Sequence, residues 1–264
     1  MNSLDEEYLR LGPLQTRIDI HRQYSEIPQD VEQDVIDAGS IHASDDLLDV
    51  GCGTGGFVSR LRRDGHTGRL GGLDQSPAAG AAAASTPGVE GILGSATSLP
   101  FEEAEFDVVC ARHMLYHVDD PVAAIAQANR VLRGHGRFVA TVNNPGSTPR
   151  IASVVHEAAV AHGITPPVLP VSLVHSDNLP ELIRTGFADV TTIRCDNALV
   201  FDDPRPVISF GLALMNFYGV GDEDPARDAV ARTIADDVNA WFGANDGPWR
   251  DPKGYVVCVA RRGD

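Results

Sequence analysis

Residues 47–57 read LLDVGCGTGGF, and this stretch decides the fold. A short apolar run, residues 46–50 (DLLDV), stops at glycines 51, 53, 55 and 56. Residues 55–63 then carry helical spacing, with Phe57, Val58 and Leu61 on one side. The reading is a strand, a glycine turn and a helix. A turn without Cβ atoms folds tightly and lets a ligand approach the backbone. The free N–H groups at the helix start can then receive its polar groups. Gly51, Gly53 and Gly56 also satisfy G-x-G-x-x-G, the dinucleotide fingerprint. Asp49 separates two kinds of ligand: a carboxylate near the end of that strand repels a pyrophosphate and attracts an ammonium or a sulfonium.

Outward from this turn, strand and helix signals alternate. Residues 69–73 lead to Asp74, with Gln75 beside it, and a helix follows from Pro77. A carboxylate ending the second strand can accept both hydroxyls of a ribose, a device that nicotinamide enzymes also use. Its other possible role is to cap the next helix, which Ser76 is expected to fill. Further strands are predicted over 89–93, 106–111 and 137–142, with an amphipathic helix over 121–133 opened by Pro121. Repeated strand–helix units imply a parallel sheet with helices on both faces. Such sheets bind ligands outside the carboxyl ends of their strands.

The second half is less regular. Helices are expected over 150–162, 177–185, 204–218 and 224–242, a Pro-rich loop over 165–170, and strands over 188–200 and 255–261. The chain reads as a single domain. Segments 1–38, 146–180 and 202–243 are lid and cap insertions, where specificity would reside.

LLDVGCGTGGF resembles motif I of the class I S-adenosylmethionine-dependent methyltransferases, and the likeness continues along the chain. GSATSLPF (94–101) is similar to the family's G-D-A-x-x-L-P-F, with Ser95 where the family has Asp. ANRVLRGHGRFVAT (128–141) resembles the family's helix end and fifth strand, with His135 in place of a proline. RIDIHRQYSE (17–26) resembles the lid helix of small-molecule members. The resemblance covers roughly 17–142 and is closest to type 11-like small-molecule enzymes. It implies a Rossmann-like, seven-stranded, mostly parallel sheet of order 3-2-1-4-5-7-6 with helical caps. It implies S-adenosylmethionine as cofactor, held by Tyr24, Asp49, Gly51, Gly53, Asp74, Gln75, Ser95, Ala96, Thr97 and Arg112. Tyr24 would lie over the methionyl group, Asp74 on the ribose and Ser95–Thr97 at the adenine, where serine lacks the charge of the family's Asp. FDVVCARHMLYHVDDP (106–121) would face the acceptor, which makes His113 and then His117 the candidate bases.

Composition narrows the partners. The net charge is −16, against the cationic surface a nucleic-acid binder needs. The basic clusters Arg60, Arg62, Arg63 and Arg130, Arg133, Arg137 read as solvated helix ends. No Asp/Asn-Pro-Pro-aromatic sequence follows the fourth strand, so a small-molecule acceptor, N- or O-methylated, is expected, with specialised metabolism as its setting. Four separated cysteines suggest neither disulfides nor zinc, and His156 and His162 lack metal-ligand spacing. Residues 1–10, MNSLDEEYLR, do not read as a signal peptide. The longest uncharged apolar run, 207–218, is too short for a membrane span. A cytoplasmic monomer or homodimer is expected. Trp241, Phe242 and Trp249 are expected to pack the cap. One alternative is a protein that binds S-adenosylmethionine or S-adenosylhomocysteine without catalysis. Another is an NAD(P)-dependent oxidoreductase, although the chain's one lysine, Lys253, has Trp249 four residues before it, so no Tyr-x-x-x-Lys exists.

Overall fold

The structure is a computed structural model that describes residues 11–168 and 173–263. The signal-peptide reading of residues 1–10, part of the lid and part of the Pro-rich loop fall outside the described residues. In chain order the strands are β1 (Leu47–Val50), β2 (Leu70–Asp74), β3 (Val89–Leu93), β4 (Phe106–Arg112), β5 (Leu132–Asn143), β6 (Val190–Phe201) and β7 (Trp249–Arg261). The helices are α1 (Leu11–Tyr24), α2 (Val31–Ala38), α3 (Gly56–Arg63), α4 (Pro77–Ala84), α5 (Pro121–Val131), α6 (Pro149–Ala161), α7 (Leu179–Arg184), α8 (Pro204–Leu214) and α9 (Arg227–Ala244).

The strands form one sheet in the order β3-β2-β1-β4-β5-β7-β6, as the resemblance implies. β1 pairs in parallel with β2 and β4, and β5 pairs antiparallel with β7. Two strands begin earlier than expected. β5 starts at Leu132, because Phe106 pairs with Leu132 before a shift of register. β7 starts at Trp249 rather than 255. The helix expected over 204–218 stops at Leu214, and Met215–Tyr218 is a 3₁₀ turn ended by Gly219 at φ +82°.

The chain divides into two compact units. The sheet unit holds 30–145, 173–195 and 255–263 of the described residues. All four residues of β1 are buried, as expected of a central parallel strand covered on both faces. Leu48, Val50, Val109 and Ala111 pack with Ile125 and Val131 of α5 and Ile183 of α7. On the opposite face, Leu47, Val108 and Cys110 pack with Val35 of α2 and with Phe57, Val58 and Leu61 of α3. Val35 belongs to this layer, so α2 is part of the sheet unit.

The helical unit holds 11–29, 146–168 and 196–254 of the described residues. Its core gathers Ile151 and Val155 of α6, Val207 and Phe210 of α8, Ile234 and Val238 of α9, and Trp249. Asp251 caps α6, accepting from the N–H groups of Arg150 at 3.0 Å and Ile151 at 2.9 Å. Trp241, Phe242 and Trp249 pack together, as expected. The Arg150 guanidinium stacks over both indoles at 4.6 and 4.4 Å.

The arginine clusters are not the solvated helix ends expected of them. Arg60 pairs with Asp30 at 2.6 Å, and Arg133 bridges Asp46 and Asp107 at 2.9 and 2.8 Å. Arg62 and Arg130 donate to loop carbonyls, and Arg137 lies buried against Asp45 at 2.7 Å. Only Arg63 remains largely exposed. Guanidinium forks satisfy carbonyls that loops leave unpaired, which consumes the cationic surface.

Among the described residues, no helix is long and apolar enough to cross a membrane, and no three His, Cys, Asp or Glu side chains form a metal-binding group. The four cysteines are free thiols.

Candidate active site

The carboxyl ends of β1, β2, β3 and β4 lie level with one another. Val50 pairs with Leu73 and Ala111, and Asp74 pairs with Leu93. Strand order reverses between β1 and β4, the switch point where open sheets take ligands. The glycine turn leaves β1 there. The N–H groups of Gly51 and Cys52 donate to the Leu73 carbonyl at 2.7 and 3.0 Å, fastening the turn to β2.

Two glycines show why the loop needs them. Gly55 has φ +72°, and a Cβ on it would sit 2.6 Å from the Ala83 backbone. Gly53 has φ +53° but faces open space, with nothing within 4 Å of a Cβ position. One glycine thus lets α3 and α4 approach, and the other keeps a clear approach to the backbone.

Asp74 holds this arrangement together. Its Oδ2 accepts from Gly53 N–H at 3.0 Å and its Oδ1 from Ser76 N–H at 2.9 Å. Ser76 occupies the N-cap position of α4, but its side chain makes no capping bond. The expectation that the Ser76 side chain caps this helix is not met; Asp74 instead holds the backbone N–H of Ser76 itself. Each Asp74 oxygen keeps a further lone pair, the capacity a ribose diol needs. Gln75 follows it, exposed.

Asp49 is placed differently from its sequence reading. It is fully buried and forms a two-point ion pair with Arg112, whose Nε and Nη2 donate at 3.2 and 2.9 Å. Asp49 lies opposite Cys110, so Arg112, two residues on, projects from the same face of the sheet. The guanidinium also covers the Phe57 ring at 4.1 Å and reaches Glu32 at 3.8 Å. Asp49 therefore offers no uncompensated charge to a ligand; Arg112 is the partly exposed member of the pair. The pairing escaped the sequence reading, although both charges sit near strand ends.

Ser95, Ala96 and Thr97 form a tight turn after β3. Ser95 Oγ lies 2.9 Å from Thr97 Oγ1, and its carbonyl accepts from Ser98 N–H at 3.1 Å. Ser95 is exposed at the strand ends.

His113 follows β4 with φ +50°, a left-handed conformation that strains a non-glycine residue. Its N–H donates to the Thr141 carbonyl at 2.8 Å, and its ring stands edge-on to Tyr255 at 6.4 Å. The ring Nδ1 is buried without a partner. Burial, and then the Arg112 charge, push the imidazole down to about 4, so it is neutral at pH 7. His117 lies in the 3₁₀ turn Leu115–His117, its ring 4.5 Å from that of Tyr116. Tyr116 in turn lines a cavity of about 460 Å³, walled by Val118, Leu173, Val174 and Leu182 and edged by Asp119 and Glu181. Burial and the charges of Asp49 and Asp74 push the Cys52 thiol up to about 12, which removes it as a nucleophile. Tyr24 belongs to the helical unit, where its ring packs against Phe201 at 4.9 Å.

The strand order, the glycine loop at the switch point and the acidic residue closing β2 define a Rossmann-like fold of the methyltransferase type. Comparison with known proteins agrees. Residues 48–140 match the model of the methyltransferase domain family. The malonyl-[acyl-carrier protein] O-methyltransferase of Hahella chejuensis is 39% identical over 97 residues, 36% of this chain and 35% of that protein. The demethylmenaquinone methyltransferase of Staphylococcus saprophyticus is 31% identical over 115 residues, 42% of this chain and 49% of that protein. This chain thus spans between a third and a half of these relatives' lengths. The [4+2]-cyclase SpnF shares the fold at a TM-score of 0.61 and 20% identity, over 99% of this chain and 94% of that one. Over residues 48–140, about a third of its length, the chain is thus similar to a methyltransferase domain.

Proposed function

We propose that the chain transfers the methyl group of S-adenosylmethionine to a nitrogen or oxygen of a small molecule. One observation carries the reading: Asp74 fastens the glycine turn through Gly53 and the start of α4 through Ser76, beside a clear approach to the loop backbone. Asp74 and Gln75 would hold the ribose, and the turn from Ser95 through Ala96 to Thr97 the adenine. The backbone from Gly51 to Gly53 would line the approach, and Arg112 would meet the methionyl carboxylate, steadied from behind by Asp49. The bound cofactor supplies a methyl group on a sulfonium, ready for direct displacement.

The chain's own contribution is placement, which can lower a barrier by about 7 kcal/mol or more. A neutral imidazole held down to about 4 is a poor proton acceptor at pH 7. His113 therefore suits a role in orienting a nucleophile by hydrogen bonding. A neutral amine asks for no more, and the Asp119 and Glu181 carboxylates at the cavity edge favour a molecule that carries one. An oxygen nucleophile would need a base, a role that His117, whose ring meets the cavity-lining Tyr116, would take. The net charge and the internally consumed arginines favour a small acceptor over nucleic acid. A cytoplasmic setting, without membrane association and as monomer or homodimer, accompanies the proposal.

Isothermal titration with S-adenosylmethionine, S-adenosylhomocysteine and NAD(P)H tests it. Binding of the sulfur ligands alone, lost in Asp74→Ala, is expected; binding of NAD(P)H, or of none, overturns it. The competing reading is a cofactor-binding protein without turnover, favoured by Ser95 in place of an acidic residue. Tight binding with no methyl transfer across a broad panel of amines and alcohols would establish that reading instead.

A further inference from the structure

Among the described residues, the helical unit contains a cation with no counter-charge. Lys253, the chain's one lysine, is half-buried on β7. Its Nζ lies 2.6 Å from Ser25 Oγ and 3.3 Å from His21 Nδ1. No carboxylate lies within ion-pair range of it among the described residues, although the chain has 37 acidic residues against 21 Lys and Arg. The nearby acids are spent elsewhere. Glu26 is held by Arg250 at 3.0 and 2.7 Å. Asp251 accepts from the N–H groups that begin α6.

A charge withdrawn from water without a partner is unfavourable. Burial pushes the Lys253 amine down to about 8, which still leaves it mostly protonated at pH 7. The ammonium has three donors. One goes to Ser25, whose own hydroxyl donates to the His21 carbonyl. A second goes to His21 Nδ1, whose ring is braced edge-on against Phe210 at 5.5 Å. The third has no acceptor among the described residues. The local chemistry thus provides an oriented ammonium, two hydrogen-bonding supports and, among the described residues, one N–H without an acceptor.

We propose that Lys253, oriented by Ser25 and His21, binds the carboxylate of a small-molecule ligand. A carboxylate supplies the missing charge and can use the single remaining donor. A phosphate is the poorer fit, since its three oxygens call for several donors or a guanidinium fork, and neither is bonded beside Lys253 among the described residues. The inference stands on the helical unit alone and does not depend on methyl transfer.

Because the chain has one lysine, isotopically labelled lysine gives a single side-chain NMR signal. The full-length protein is titrated at pH 7 with sodium acetate and sodium benzoate, and with sodium chloride and acetamide as controls. A saturable shift with the carboxylates only is expected, its midpoint weakened about fivefold in Ser25→Ala by loss of one supporting hydrogen bond. Lys253→Met, checked for folding by circular dichroism, should abolish benzoate binding in calorimetry. Non-saturating behaviour, the same shift with chloride or acetamide, or stronger binding of inorganic phosphate overturns the assignment. Unchanged benzoate binding in a folded Lys253→Met protein also overturns it.

Discussion

Replacing Arg112 by methionine keeps most of the stem that covers Phe57 and removes the charge that neutralises Asp49. The structure sets the size of the effect. Asp49 is fully buried, its two oxygens are engaged by Arg112 at 3.2 and 2.9 Å, and no other cation is paired with it among the described residues. Breaking one side of such a pair costs about 3–5 kcal/mol, because the remaining charge is left unpaired. Urea unfolding at pH 7 should register that loss in Arg112→Met. The double variant Asp49→Asn/Arg112→Met, which leaves no charge to strand, should recover about 2 kcal/mol of it. Cofactor affinity supplies a second readout. If Arg112 meets the methionyl carboxylate, the single variant should bind S-adenosylmethionine at least about tenfold more weakly, as loss of one charge-assisted hydrogen bond requires. If Asp49 instead attracts the ammonium directly, removing its guanidinium partner should tighten binding. A single variant within about 1 kcal/mol of wild type, or one that binds the cofactor more tightly, would refute the reasoning.

Three further outcomes are expected. His113 titrates near 4 in the folded protein and near the ordinary 6.5 when unfolded, so the unfolded chain takes the proton first as pH falls. Its stabilisation is complete above 6.5 and lost toward 4. Moving from pH 7.5 to 5 should cost about 2 kcal/mol in wild type and distinctly less in His113→Gln, as measured by urea unfolding. Asp74→Asn should retain one of the two backbone hydrogen bonds, since its amide can accept at only one atom. Its titration should therefore give a cofactor affinity between those of wild type and Asp74→Ala, and equality with wild type would show that the charge is not used. Gly55→Ala combines a left-handed backbone with overlap on Ala83 and should lose more than 2 kcal/mol. Gly53→Ala, with the same backbone sign but open space, should lose only about 1 kcal/mol in thermal unfolding while weakening cofactor binding.

Much of the sheet was readable because its determinants are local. The run from Leu47 to Val50 is buried at every position because both faces of β1 are covered, its three apolar residues are broken only by Asp49, and the glycines stop it where the turn must form. The position of Asp74 at the end of β2 was legible for a similar reason, whereas its bonds to the N–H groups of Gly53 and Ser76 were not. Ser76 was misread because a serine at the N-cap position need not turn its hydroxyl to the helix, and here its side chain makes no capping bond. The arginine clusters were misread because their acceptors are loop carbonyls and acids distant in sequence, such as Asp45 for Arg137.

The sequence by itself therefore determined the strand–turn–helix units, the glycine loop and the acidic residue beside it, all of which follow from backbone freedom and side-chain period within a dozen residues. Tertiary structure alone decided how charges were matched. Asp49 meets Arg112 only because β1 and β4 pair in that register. Lys253 meets Ser25 across more than two hundred residues of chain. Hydrophobic period specifies which face of an element is buried, but an ion pair or an unpaired ammonium depends on which elements become neighbours. That is settled by the packing of the whole chain.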